Sequence, residues 1–309
     1  MEFIRSISQL RSQHHQCVAT IGNFDGVHRG HQTIIQQVKT KSLELDLPAT
    51  VIIFEPQPQE YFIPDKAPTR LTRLREKLIA FQHYGVDRVL CLRFDNKLAE
   101  LEPNDFIQKI LLQGLGIKHL VVGDDFHFGK RRSGNFQTLQ NAAQQQQFTI
   151  EKQRTFLIDN ERVSSTRIRQ AMAQGNMQLA NELLGRPYML SGRVRYGQQK
   201  GRTIGFPTAN IFLHRHKSPL QGVFAVKVHG LRHHFPLTGV ANLGTRPTIN
   251  GAQLLLEVHL FDFKQVIYGK YVDVEFIAKI RDEQKFDSFE LLKQQIQKDA
   301  EKARQVFAK

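Results

Sequence analysis

The sequence predicts two joined folds. Residues 1–185 read as an α/β domain with a doubly wound parallel sheet, Rossmann-like in class, and residues 186–309 as a small antiparallel β-barrel with a C-terminal helix. Through the first half, apolar runs suited to buried strands alternate with stretches of helical period, the pattern of strand–helix–strand units. Past "LLGRPYMLSG" at 183–192 the runs shorten, alternate apolar with polar residues, and are separated by turn residues. A chain of 309 residues is also long enough to build two cores.

The strand-like runs of the first half fall at 17–21, 49–54, 87–92, 119–123 and 148–150, with "CVATI" as the first strand. Between them, "HQTIIQQVKTKSL" puts Ile34, Ile35 and Val38 on one side of a helix. "RLTRLREKLIAFQHYG", "EPNDFIQKILLQGLG" and "SGNFQTLQNAAQQQQ" read as further helices. Pro103 and Asn104 suit a helix start, and Gly85, Gly114 and Gly116 stand where helices stop. The glutamines 144–147 coat a helix end. In the second half "GVFAVKVHG", "PLTGVANLG", "LLLEVHLFDF" and "YVDVEFIAKI" read as strands. "SFELLKQQIQKDAEKARQVF" reads as an amphipathic helix capped by Ser288.

Composition narrows the functional classes. Lys and Arg number 43 against 29 Asp and Glu, a formal charge of +14 that draws in anions: nucleic acid, acidic membrane or phosphorylated small molecules. The cations are scattered, "GKRRSGN" at 129–135 being the densest patch, and such an excess also serves solubility alone. No RNA-binding motif and no continuous basic helix appears. No stretch reaches the ~18–20 apolar residues of a membrane span, and "MEFIRSISQL" is unlike a secretory signal. Cys17 and Cys91, both in apolar runs, make no disulfide framework or metal knuckle and read as buried, reduced thiols of a cytoplasmic protein.

"GNFDGVHRGHQ", 22–32, follows the first strand and is neither a Walker loop nor a Gly-x-Gly-x-x-Gly turn. Ligands of parallel sheets bind at the carboxyl ends of strands. Gly22 and Gly26 allow close backbone approach, and a helix opening near Gly30 offers free N–H groups to an anion flanked by His28 and His31. Two surface histidines would have the same spacing; a metal pair lacks an evident third ligand. Other surface histidines of the chain, His14-His15, His214, His216 and His233-His234, read as loop residues with no role. "ERVSSTRIRQAM", 161–172, sets Ser164, Ser165 and Thr166 at a helix start with Arg167 and Arg169 beyond, a second anion site or a plain cap with solvated arginines.

In the second half, "GRTIGFPTANIFL", 201–213, places Thr208 and Asn210 two apart, so a strand would give them one face. Such a hydroxyl and amide oxygen can ligate Mg²⁺ or hold a phosphate; a Pro-Thr turn entering a strand is also ordinary. Glu257 is the lone acid of an apolar strand, a base if buried and a solvent-facing residue otherwise; His259 and Asp262 read as bystanders.

Taken together these motifs resemble known families. His28, Gly30, His31 and Ser164, Ser165, Thr166, Arg169 resemble the signatures of the nucleotidylyltransferase superfamily, and "FEPQP" (54–58) with "VVGDDFHFGKRRSGN" (121–135) resembles the adenylyltransferase module of bacterial FAD synthetases. The Pro-Thr-Ala-Asn motif, "GVFAV", "GVANLGTRPT", "LEVHLFDF" and "KIRDEQKF" resemble, in order, the riboflavin kinase family. Gln57 and Tyr196 stand where relatives often have His, and His127 where they commonly have Arg.

The resemblance implies a bifunctional enzyme of flavin-cofactor synthesis: riboflavin and ATP give FMN, then FMN and ATP give FAD and pyrophosphate. It implies ATP held in the first half by Gly22, Asn23, Phe24, Asp25 and Gly26, by His28, Gly30 and His31, and by Ser164, Ser165, Thr166 and Arg169, the two histidines being catalytic. Pro56, Asp124, Phe126 and Phe128 would contact the flavin there. In the second half it implies ATP at Gly201, Gly205, Pro207, Thr208 and Asn210, with Mg²⁺ on the last two, Glu257 as the base, and flavin at Arg246 and Arg281. The partners would be these small molecules, with no nucleic acid and no membrane.

Overall fold

The computed structural model describes residues 1–197, 206–215, 217–231, 235–248 and 251–308. It divides into two compact units, Met1–Ser165 and Thr166–Lys309. Gly201 and Gly205 lie outside the described residues, as do His216 and His233-His234; for Arg246 only the backbone is described.

The first unit is built on six parallel strands: β1 (Glu2–Ile4), β2 (Val18–Ile21), β3 (Ala49–Glu55), β4 (Arg88–Arg93), β5 (His119–Gly123) and β6 (Thr149–Gln153). Their spatial order is β1-β4-β3-β2-β5-β6. β1, unread in the sequence, pairs Glu2 with Arg88 and Ile4 with Leu90 along the sheet edge. Alternate residues of each strand feed opposite faces. Ile52, Leu90 and Leu92 join Ile107, Ile110 and Leu139 on one side, whereas Val51, Ile53 and Val89 join Ile35, Ala80 and Phe81 on the other. The sheet is therefore covered twice, by α1 (Arg29–Leu45) and α3 (Leu74–His83) on one face and by α5 (Pro103–Phe106), a π-helical turn (Ile107–Leu112) and α6 (Phe136–Gln146) on the other. Short helices α2 (Pro58–Phe62) and α4 (Asn96–Ala99) and the hairpin β7 (Leu157–Ile158)–β8 (Glu161–Arg162) complete the unit.

Two local expectations fail for physical reasons. Residues 70–73 are not helical: the Asp25 carboxylate accepts the N–H groups of Leu71 and Thr72, each at 3.0 Å, and α3 starts only where Glu76 accepts from Arg73 N–H at 2.9 Å. His14 is not a surface histidine: it is buried in a 3₁₀ turn, where its Nδ1 accepts from Arg11 N–H at 2.8 Å and its Nε2 lies 3.0 Å from Glu2. α6 ends within the glutamines, with Gln147 in the left-handed region.

The second unit opens with α7 (Ser165–Ala173, its first residue counted with the first unit) and α8 (Met177–Leu184). Then come β9 (Met189–Arg195), β10 (Ala209–Phe212), β11 (Gly222–His229), β12 (Leu237–Thr248), β13 (Gly251–Leu260), β14 (Tyr271–Arg281) and α9 (Phe289–Ala308). The six strands close into an antiparallel barrel in the order β10-β13-β12-β11-β14-β9. Ser288 accepts from Leu291 N–H at 3.2 Å, the expected cap, and α9 seats Ala300 and Ala303 against Val223, Ala225 and Val240 of the barrel wall. No described helix is long and apolar enough to cross a membrane.

Candidate active sites

In the first unit the chain runs from β2 outward to β3 and β4, then returns to β5 on the other side of β2. That reversal leaves a crevice at the carboxyl ends of β2 and β5, the place where such sheets bind ligands. The loop carrying Gly22 to His31 leaves β2 there, and the loop carrying Asp124, Phe126 and Phe128 leaves β5 beside it.

The first loop is held from beneath. Thr72 Oγ1 accepts Gly26 N–H at 2.9 Å, the fully buried Lys77 donates to the Asn23 carbonyl at 2.6 Å, and Ser165 Oγ donates to the Asp25 carbonyl at 2.8 Å. Phe24 and Val27 sit at φ +48° and +43°, which for a bulky or a β-branched residue is strained backbone. His28 caps α1: its Nδ1 accepts His31 N–H at 3.3 Å, so a neutral ring carries its proton on Nε2. The two imidazoles stack with centroids 3.6 Å apart and Phe24 closes the stack 5.0 Å from His31. A Cβ at Gly30 would meet His28 Cε1 at 3.3 Å, a tight contact that the imidazole could relieve only by shifting a few tenths of an ångström. The result is a helix N-terminus bearing two adjacent rings, a cradle suited to phosphate.

Around it, Pro56 is exposed at the end of β3, and Asp124 bonds Thr155 while Arg162 pairs with Asp125 at 2.7 Å. Phe126 stacks on Phe128 at 5.6 Å, and Phe128 is itself buried against Phe106 in the core. Sequence reading missed an aromatic group beside Pro56: Phe94 touches Phe54, Tyr61 and Phe62 at 5.5–5.8 Å, and Phe62 is 62 % exposed. Gln57 Nε2 is buried there with no hydrogen-bond partner among the described residues. Thr166 and Arg169 stand on α7 and are described with the second unit, Thr166 exposed and Arg169 half-buried.

The second unit holds a cavity of about 700 Å³ on the outer barrel wall under α9. Thr208, the residue just before β10, and Asn210 within it both line the cavity. Along β13, Leu254, Leu256 and Val258 are buried while Leu255, Glu257 and His259 face the cavity. Strand register then assembles a polar row: Asn210 stands opposite Glu257, and Glu257 opposite Asn242. Val223 and Arg281 continue the row on β11 and β14. Asn242 drew no functional reading from the sequence. Nor did His259, whose Nδ1 donates to the Pro207 carbonyl at 2.9 Å and whose pKa burial holds below the usual histidine value. Asp262 is tied bidentately to Arg304 of α9 at 2.9 and 3.1 Å. Arg281 reaches the cavity but spends its Nε on both oxygens of buried Asp299, at 3.0 and 2.9 Å. Among the described residues no cluster of three or more His, Cys, Asp or Glu forms a metal site. The Thr208 hydroxyl and Asn210 amide are hard oxygen donors on one wall, which fits an ion that keeps most of its ligands from phosphate and water.

A doubly wound sheet with a histidine-lined helix N-terminus, joined to a barrel whose cavity presents a carboxylate beside a hydroxyl and an amide, defines a two-module transferase acting on phosphate esters. Comparison makes this specific. Residues 10–167 match the FAD synthetase family and residues 184–307 the riboflavin kinase family. Curated relatives called bifunctional riboflavin kinase/FMN adenylyltransferase are 51% identical over 307 residues in Haemophilus influenzae, covering 99% of each chain. In Escherichia coli K12 the figure is 50% over 308 residues, covering 99% of this chain and 98% of the relative. A crystal structure described as a macrolide-efflux protein from Streptococcus pneumoniae shares the fold over 98% of each chain, with a TM-score of 0.83 and 30% identity. The chain belongs to the family of bifunctional riboflavin kinase/FMN adenylyltransferases, enzymes of FMN and FAD synthesis.

Proposed function

We propose that the two activities divide along the chain, with adenylyl transfer on residues 1–185 and riboflavin phosphorylation on residues 186–309, and that each site's chemistry follows from where its carboxylate lies. The observation that carries this is the contrast between Asp25 and Glu257. Asp25 is buried and accepts from Leu71 and Thr72, a structural use, whereas Glu257 faces a cavity beside Asn210.

In the barrel, a ribityl hydroxyl must lose a proton as it attacks the γ-phosphorus of ATP. Glu257 takes that proton, and Asn210 and Thr208 orient the triphosphate. Pro207 and the glycines 201 and 205 would shape the nucleotide loop, and Arg246 and Arg281 would contact the flavin. Thr208 and Asn210 would also hold Mg²⁺, which supplies charge neutralisation on the phosphates. In the α/β module the nucleophile is the FMN phosphate, already anionic, and attack on the α-phosphorus of ATP needs no base. His28 and His31 donate to the phosphoryl oxygens as charge builds, the α1 N-terminus adds its N–H groups, and Ser164, Thr166 and Arg169 brace the nucleotide. Pro56, Asp124, Phe126 and Phe128 would bound the flavin. Two free, buried thiols support a reducing, cytoplasmic setting.

The direct test is to incubate the purified chain with riboflavin, ATP and Mg²⁺ and separate the flavins by chromatography. FMN followed by FAD is expected; the appearance of neither overturns the reading.

A further inference from the structure

Lys77 stands apart from the chemistry above. It is fully buried within α3, where lysine is rarely found, and its ammonium donates to the Asn23 carbonyl at 2.6 Å. Asn23 opens the turn that ends at His28. That turn carries strained backbone at Phe24 and Val27, and strain of this kind persists only where surrounding structure over-determines it. The surrounding structure is identifiable. Asp25 locks the turn to Leu71 and Thr72, Thr72 returns a bond to Gly26, and Lys77 fixes the carbonyl one residue before Phe24.

A lysine is a costly way to satisfy one carbonyl, since burial disfavours its charge; attraction to Asp25 and Glu55 works the other way. An apolar side chain would pack the same space and leave that carbonyl without its donor. The charge therefore serves the turn rather than the core.

We propose that Lys77 is a positioning residue for adenylyl transfer, holding the Asn23–Val27 turn in the conformation that presents His28 and His31 to the nucleotide phosphates. The proposal rests on the phosphate-bracing reading of the two histidines.

The test compares Lys77→Met, Asp25→Asn, Asp25→Asn/Lys77→Met and His28→Ala/His31→Ala in the full chain. Adenylylation of supplied FMN and phosphorylation of riboflavin are measured separately, and labelling of the buried Cys91 thiol reports whether the first unit is folded. In Lys77→Met with Cys91 protected, adenylylation should lose at least tenfold in kcat/KM for ATP, with the KM for FMN and the riboflavin kinase rate within twofold of the parent. If Cys91 becomes reactive, the double variant, which removes both buried charges, is read by the same criterion against Asp25→Asn alone, so that only the loss added by removing the lysine counts. Adenylylation within twofold of its reference in either protected lysine variant overturns the proposal, as does exposure of Cys91 in both, which would make the lysine a folding element. If His28→Ala/His31→Ala adenylylates normally, the phosphate reading itself fails, whatever Lys77 does.

Discussion

Asn210 and Glu257 face one another across the antiparallel pair β10–β13, so the amide and the acid share one wall of the barrel cavity. Neither position means much alone: an Asn after Pro-Thr-Ala and a Glu among leucines are ordinary. Register joins them, and the sidedness of a strand pair makes the join unavoidable once that register is set.

Replacing Glu257 with Gln keeps the shape and removes the base. Riboflavin phosphorylation should fall by about 10²–10⁴-fold, the usual worth of a positioned general base, with adenylylation of supplied FMN unchanged. Separate assays of the two steps on one preparation measure this. Loss of both steps in a folded variant would contradict two independent sites.

His28→Ala/His31→Ala should behave in mirror image. Removing donors aimed at a developing phosphoryl charge costs about 10²–10³-fold each in comparable sites. Given riboflavin and ATP, the variant should accumulate FMN and form almost no FAD. Continued FAD synthesis at the parental rate would remove the histidines from the mechanism.

What the sequence disclosed and what it withheld follow from the range of the interactions. The strand-to-helix loop at 22–31 and the Thr208–Asn210 spacing are local patterns, legible from a few neighbours. β1 is three residues long, too short to show a period, and exists because β4 offers an edge. Residues 70–73 have helical spacing, yet Asp25, 46 and 47 positions away in sequence from the N–H groups it accepts, captures them first. Asn242 gains meaning only from the β12–β13 register, and Lys77 looks like any solvated helical lysine until the loop above it is placed.

In the barrel, Asp299 is the partner that keeps Arg281 oriented, with side chains 4% and 15% exposed respectively. Asp299→Ala leaves a largely buried guanidinium without its carboxylate and should cost about 3 kcal/mol of the second unit's stability. Because Arg281 lines the cavity, the same variant should raise the KM for riboflavin more than it lowers kcat. Chemical unfolding and steady-state kinetics of the kinase step check the two effects; an unchanged unfolding midpoint would deny the pair its role.

His119 makes the first unit sensitive to acid. It is buried in β5; Thr149 Oγ1 lies 2.6 Å from its Nδ1 and donates onward to the Lys118 carbonyl, so Nδ1 carries the proton and Nε2 does not. Nε2 lies 3.7 Å from Glu151, whose charge favours protonation, but burial outweighs it and holds the folded pKa below the ordinary histidine value. The sign follows from linkage. On acidification the unfolded ring takes up a proton first, at about pH 6.5, while the folded ring resists, so protonation favours unfolding. The contribution is fully present above that pH, falls as the pH drops below it, and stops falling once the folded ring is protonated too. The thermal midpoint of the parent should therefore decline between about pH 7.5 and 5 more steeply than that of His119→Gln, which has no ring to protonate. Parallel curves for the two proteins would mean that His119 is solvated alike in the folded and unfolded chains, contrary to its place in the sheet.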